Sequence, residues 1–204
     1  MNPNLAPQFR KYLEMSDEER IYFIQKDKWI DYPLANKVLL KMQDIFNAPK
    51  SIRSRGMLLY GDSNNGKTAI LKKFYRDFSK EEYIDEDGDL IHLMPIVYVI
   101  SESSSDESIM FSKILSAMNV PVSHKEKVTK KKEEVIYNLG IMKTKLIIID
   151  EIQNVLQGPY NKMTQLITSL KTLNNTTAIP IILAGTQDAM SAISIDNHTK
   201  SRFK

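Results

Sequence analysis

One octapeptide limits what this chain can fold into more than anything else in it. Gly61-Asp62-Ser63-Asn64-Asn65-Gly66-Lys67-Thr68 fits the pattern G-x-x-x-x-G-K-[ST]. It stands between the apolar run Met57 to Tyr60, which reads as a short strand, and the segment Thr68 to Phe78, where Ile70, Leu71, Phe74 and Phe78 recur at helical spacing. At average residue usage the pattern arises by chance at about 4 × 10⁻⁵ per position. Each part has a physical use. Glycines allow the backbone path on which several N–H groups converge on an anion. The following helix adds its positive end. Lys67 would bridge the β- and γ-phosphates of a nucleotide, and Thr68 would ligate Mg²⁺. Gly61, Asp62, Ser63, Asn64, Asn65, Gly66, Lys67, Thr68 and Ala69 are therefore the candidate phosphate-binding residues. The plainer reading is a Gly-containing turn whose lysine is merely solvated.

A second signal lies about 80 residues on. Leu146 to Ile149 is a fully apolar strand followed at once by Asp150-Glu151, the arrangement in which the first acid holds Mg²⁺, directly or through water, and the second orients and activates the attacking water. Two acids capping a strand end would look the same; the preceding phosphate loop favours the chemical reading. Ile179 to Ala184 reads as another strand, leading into Gly185-Thr186. If it lies between the other two, Thr186 emerges beside Lys67 and Asp150, where it either senses the γ-phosphate or caps the short helix Gln187 to Ile193.

The remaining pattern places these motifs on an alternating β/α chain. Ser16-Asp17-Glu18-Glu19 is a capping box, followed by Ile21 and Ile24 on one face. Pro33 opens a further helix carrying Leu34, Val38, Met42 and Ile45. Ile96 to Ile100 is a strand, Asp106 to Met118 a helix with Ile109, Ile114 and Leu115 apolar, Glu133 to Met142 a helix, and Tyr160 to Leu173 another. Glu81 to Leu93, acidic and Gly-containing, reads as a surface connection, and Pro121 to Lys131 as a polar linker. Strands apolar on both faces alternating with helices predict a parallel sheet covered on both sides. The expected fold class is thus α/β, with residues 1–50 as a helical N-terminal extension packing on a core of residues 51–204.

The motif blocks are more specific together than apart. Asp27-Lys28-Trp29-Ile30-Asp31-Tyr32-Pro33, Tyr60 to Thr68, Ile149-Asp150-Glu151-Ile152-Gln153-Asn154-Val155-Leu156, Ile179 to Thr186 and Ser201-Arg202-Phe203 resemble the TniB family of AAA+ ATPases, transposition regulators related to TnsC. The resemblance covers roughly residues 16 to 204. It implies a P-loop NTPase core of three α/β/α layers, with ATP and Mg²⁺ as cofactors. Subunits bearing ATP would assemble along double-stranded DNA as a filament or ring, without base specificity. They would recruit a DDE transposase, in some cases with a target-selection protein, and disassemble on hydrolysis. Arg202 would match the arginine finger that reaches a neighbouring subunit's site; a surface arginine is its alternative. The segment around Trp29 to Tyr32 would lie near the adenine, making Ile30 and Tyr32 candidate contacts; ordinary helix-packing aromatics are equally compatible. The family's sheet order would be 57–60, 180–185, 146–150, 96–100. AAA+ proteins continue past the Arg-Phe with a fifth strand and a helical lid. The chain given stops at Lys204, so the lid is expected absent and Met57 to Tyr60 an open edge that favours self-association.

Charge locates a candidate DNA surface without proving one. Lys+Arg total 28 and Asp+Glu 25, a net +3, so a nucleic-acid surface must be a local patch. Lys125, Lys127, Lys130, Lys131 and Lys132 cluster, diluted by Glu126, Glu133 and Glu134; they form either a solvated mixed-charge face or a set of phosphate contacts. Arg53 and Arg55 form a weaker second patch. The chain has no Cys, which excludes disulfides, thiolate zinc sites and a thiol nucleophile. Neither a signal peptide in the polar first 15 residues nor an apolar run of about 20 residues is apparent, so no membrane association and a cytoplasmic location are expected, and the family resemblance implies a bacterial one. Two rivals remain: a helicase-loader-like AAA+ ATPase, and a nucleotide-binding interaction module that does not hydrolyse ATP.

Overall fold

The computed structural model describes residues 7–26, 29–50, 56–78, 81–84, 90–123, 125–156 and 158–194. The chain divides into two compact units, Met1–Tyr32 and Pro33–Lys204. The break therefore falls before the second long helix, which belongs with the sheet rather than with an extension of 50 residues.

In the first unit a 3₁₀ helix, Pro7–Glu14, precedes α1, Asp17–Gln25. The expected capping box is formed: Glu19 N–H donates to Ser16 Oγ at 3.3 Å, and Ser16 N–H donates to Glu19 Oε2 at 2.9 Å. Tyr12 stacks on Phe23 with ring centroids 3.5 Å apart. Ile21 and Ile24, expected as a buried face, are both exposed.

The second unit opens with α2, Pro33–Asn47, whose proline occupies the first helical position, where no backbone donor is lost. Its buried face is Ala35, Met42 and Phe46, while Leu34 of the expected face lies exposed. Then follow β1 (Met57–Tyr60), α3 (Lys67–Asp77), β2 (Glu81–Ile84), β3 (Leu90–Leu93), β4 (Ile96–Ile100) and α4 (Glu107–Ala117). The chain continues through α5 (Val128–Ile141), β5 (Leu146–Asp150), α6 (Gln153–Leu156), α7 (Tyr160–Thr177), β6 (Ile181–Gly185) and α8 (Gln187–Ser194). Asp106 caps α4 by accepting from Ser108 and Ile109 N–H.

Two local expectations need correction. Residues 81–84 and 90–93 are paired antiparallel strands, not a plain surface connection. Asp87-Gly88 between two apolar-containing runs was the available hairpin signal. The linker ends earlier than expected, because α5 begins at Val128.

The main sheet has four strands, all parallel, in the order β1-β6-β5-β4, the order expected above. All five residues of β5 and all five of β6 are buried. Their side chains divide by alternation. Val97, Val99, Ile147, Ile149, Ile181 and Leu183 join one core with α4, α5 and α7. The opposite face meets α3, where Tyr98 of β4 contacts Tyr75 at 5.6 Å between centroids. Phe46 of α2 there closes an aromatic cluster with Phe74 and Phe78. Burying one such isoleucine contributes about 2–3 kcal/mol before entropy is counted. Three layers result, with the C-terminal end of each strand of the main sheet on the same edge. Among the described residues no helix is long and apolar enough to cross a membrane.

Candidate nucleotide site

Parallel pairing brings the three sequence signals to one edge. β6 lies between β1 and β5, so the phosphate loop, Thr186 and Asp150-Glu151 leave neighbouring strands in that order. The register pairs Tyr60 with Gly185 and Ile149 with Leu183. A crevice at the C-terminal ends of strands, where chain order is broken, is the usual ligand position in such sheets.

The loop has the backbone its function demands. Gly66 caps α3 at φ 76° and Asn64 has φ 63°, the left-handed region that glycine enters freely and asparagine tolerates. Asp62 to Asn65 are exposed, as is Ala69; Lys67 and Thr68 are half-buried. Lys67 Nζ donates to the carbonyls of Gly61 at 2.9 Å and Asp62 at 2.7 Å. Its charge thus lies against the start of the loop.

Asp150 is only 1% exposed, and a buried carboxylate needs partners. Thr68 Oγ1 donates to its Oδ2 at 2.8 Å, Tyr98 Oη donates to the same atom at 2.7 Å, and Glu151 N–H donates to Oδ1 at 2.9 Å. The two residues expected at Mg²⁺ are therefore in direct contact across 82 positions of sequence. Hydroxyl and carboxylate oxygens are the hard donors that Mg²⁺ takes, so the pair fits that ion. Among the described residues no group of three or more His, Cys, Asp or Glu side chains could hold a metal by itself. Mg²⁺ in such sites is completed by water and substrate phosphate.

Tyr98 is the site residue that the motif reading missed. Burial first, then its bond to Asp150, raise its pKa far above the ordinary tyrosine value, so it remains a proton donor throughout the physiological range. A lone tyrosine in the aliphatic strand Ile96–Ile100 was its only sequence signal. Partners of this kind hold a metal-ligating carboxylate in orientation. Tyr98→Phe is expected to raise the Mg²⁺ concentration for half-maximal ATP binding about 10-fold, measured by titrating Mg²⁺ at fixed ATP. An unchanged midpoint would remove Tyr98 from the site.

Glu151 is half-buried and adopts φ 57°, which costs a non-glycine residue roughly 1–2 kcal/mol. Neighbouring bonds hold it there. Ser101 Oγ donates to the Asp150 carbonyl at 3.0 Å and the Glu151 carbonyl at 2.5 Å, and Asn154 N–H donates to Glu151 O at 2.9 Å.

The other expected residues fare differently. Ile30 is exposed, and Tyr32 lies with its ring 6.4 Å from Trp29, whose indole N–H donates to Asp31 at 2.6 Å. All belong to the first unit. Arg202, Arg53 and Arg55 lie outside the described residues. In the lysine cluster, Lys125, Lys127 and Lys130 are exposed and Lys132 half-buried. Lys130 pairs with Glu126 at 2.7 Å and Glu134 at 3.8 Å, the first raising its pKa most. Lys131 departs from expectation. It is 2% exposed, and its Nζ donates to Ser108 Oγ at 2.8 Å and Ser112 Oγ at 2.9 Å on α4. Helical geometry turns successive side chains by about 100°, so Lys131 faces the core while its neighbours face solvent, and it leaves the candidate DNA set.

Comparison with known proteins bears on the family and the fold. A family model described as Bacterial TniB protein matches residues 20–204. No curated protein matches the chain. Among solved structures, the Aeropyrum pernix ORC1 protein in complex with DNA is similar at TM-score 0.61 and 18% identity, over 82% of this chain and 41% of that one. The ADP form of the Aeropyrum pernix ORC2 protein is similar at TM-score 0.59 and 14% identity, over 91% of this chain and 50% of that one. Its ADPNP-ADP complexes are similar at TM-score 0.57 and 16% identity, over 84% and 44%. The chain thus spans half or less of the length of these proteins. At such identities the likeness shows the fold alone, an α/β core around a parallel sheet.

Proposed function

Because the chain belongs to the TniB family, we propose that it is an ATP-dependent, DNA-binding regulator of transposition. In this reading it assembles on target DNA, recruits a DDE transposase and disassembles when ATP is hydrolysed. The observation that carries the nucleotide half of the reading is the direct contact between Thr68 of the phosphate loop and Asp150 at the end of β5. Nothing in a merely solvated turn calls for that pairing.

The chain's own groups have distinct tasks. The loop N–H groups and Lys67 bind the β- and γ-phosphates. Thr68 and Asp150 would hold Mg²⁺, which when bound neutralises phosphate charge. Glu151 orients a water against the γ-phosphorus and accepts its proton. The water oxygen bonds to phosphorus as the bond to the β,γ-bridging oxygen breaks, giving ADP and phosphate. Thr186 senses the γ-phosphate from the end of β6, and Arg202 reaches the site of a neighbouring subunit. The nucleotide complexes of ORC2 and the DNA complex of ORC1 support a core of this kind handling both ligands. Assembly takes place in the bacterial cytoplasm, where the target DNA lies.

DNA contact falls to Lys125, Lys127, Lys130 and Lys132, repeated from subunit to subunit, so that binding tracks phosphates rather than bases. Replacing these four by Gln is expected to weaken binding on all duplexes alike and to lower the salt slope of log K by up to about 3–4. Unchanged affinity and slope would return the cluster to a solvated face. The decisive test of the whole reading is electron microscopy with duplex DNA and a slowly hydrolysed ATP analogue. Filaments or rings that capture a cognate transposase are expected. Dispersed particles would favour the non-assembling module, and assemblies that load a helicase instead would favour the loader.

A further inference from the structure

Gln153, the first residue of α6, joins two parts of the site that no motif connects. Its Nε2 donates to Glu151 Oε2, and its Oε1 accepts the backbone N–H of Thr186 at 3.2 Å. The first bond anchors one oxygen of the Glu151 carboxylate. Among the described residues nothing bonds the other oxygen, Oε1. The second bond ties the same amide to the residue that follows β6. A primary amide can donate to a carboxylate with one end while accepting from a backbone N–H with the other.

The surroundings fit this bridge closely. A Cβ added at Gly185 would come within 2.8 Å of Gln153 Oε1, 2.8 Å of Ile152 Cγ2 and 2.9 Å of Ala189 Cβ. The glycine before Thr186 is thus what lets the Gln153 side chain lie against the strand end. Ile152 N–H donates to Ala184 O at 2.8 Å, which pins the backbone between Glu151 and Gln153 to the same strand. The Glu151 backbone, in its left-handed conformation, sets where the carboxylate starts; Gln153 sets where it points.

We infer that Gln153 is the positioning residue for Glu151, holding one carboxylate oxygen so that the other is presented to water, and coupling that orientation to the position of Thr186. This inference rests on the reading of Glu151 as the base of ATP hydrolysis. It goes beyond that reading in making the base's orientation depend on the strand end that faces the γ-phosphate. A shift of Thr186 on phosphate binding or release would then reach Glu151 through one side chain.

The test uses the full chain with two substitutions. Gln153→Met keeps length and removes both bonds. Gln153→Glu keeps an acceptor for Thr186 but cannot donate to Glu151. Both are expected to lower kcat for ATP about 10- to 100-fold, with KM for ATP within about twofold of the parent. Hydrogen exchange at the Thr186 amide, read by NMR, is expected to quicken in Gln153→Met and to stay near the parent rate in Gln153→Glu. Parent-like kcat in both variants, or a Thr186 amide indifferent to Gln153→Met, would overturn the inference while leaving hydrolysis by Glu151 standing. Equal loss in KM and kcat would reduce Gln153 to a structural role. A parent chain that binds ATP without turnover would instead overturn the reading of Glu151, and the inference with it.

Discussion

Lys67→Ala is expected to abolish measurable ATP binding at micromolar protein. Lys67 is the single cation of the octapeptide, and its ammonium already lies against the loop carbonyls of Gly61 and Asp62. Removing it leaves the loop no cation of its own against the β- and γ-phosphate charge. Breaking a charge pair in a partly desolvated site costs about 3 kcal/mol or more, on the order of 100-fold in affinity. Lys67 is half-buried and is not among the residues of the apolar core, so the unfolding midpoint without nucleotide should change little. Calorimetric titration with ATP, beside a thermal melt of the free protein, separates the two effects. Near-parental affinity in the variant would remove the phosphate loop from the account.

Glu151→Gln is expected to do the opposite: binding stays and turnover stops. The amide has nearly the carboxylate's shape and can turn its oxygen toward the Gln153 donor, so the local structure persists. It cannot accept a proton from water, and general-base assistance of this kind contributes about 10²- to 10⁴-fold. Phosphate release should fall by that factor while ATP affinity stays within about twofold. DNA-bound assemblies should then outlast those of the parent protein in a dissociation assay after ATP is diluted. Unaltered phosphate release would show that another group activates the water.

The difference between these variants follows from where each residue stands. In the proposed function Lys67 would act on charge that is present throughout the bound state, whereas Glu151 would act on a proton that moves only during reaction. The distinction was available from the motifs before any fold was known. G-x-x-x-x-G-K-[ST] between a strand and a helix, and two acids after four apolar residues, are local patterns whose chemistry depends on spacing of a few residues. The sheet order was legible only through the family resemblance, since parallel strands of similar composition do not reveal their neighbours by periodicity.

Where the reading failed, short-range pattern and long-range packing disagreed. Ile21 and Ile24 look like a core face but remain exposed, because apolar spacing creates a face without supplying a partner for it. The segment 81–93 carries acids and a glycine, yet pairs as a hairpin through Tyr83 opposite Ile91 and Ile84 opposite Leu90. The early start of α5 at Val128 was masked by lysines, which are good helix formers but also common in linkers.

By itself the sequence carried the patterns on which the proposed chemistry rests: an alternating β/α chain, a P-loop motif ending in Lys67 and Thr68, and an acidic pair at a strand end. These are properties of neighbouring residues, set by backbone conformation and side-chain type within one turn or one strand. Tertiary structure decided which side chains complete that chemistry. Tyr98 and Asp150 are 52 residues apart and meet because β4 and β5 run parallel with Ile100 beside Asp150. Gln153 reaches Thr186 because β6, the last of the described strands, enters the sheet between β1 and β5 and ends in a glycine with no Cβ to block it. Lys130 and Lys131 are adjacent and chemically identical, yet one pairs with surface glutamates and the other is sealed against α4, because packing fixes which side of a helix meets the core.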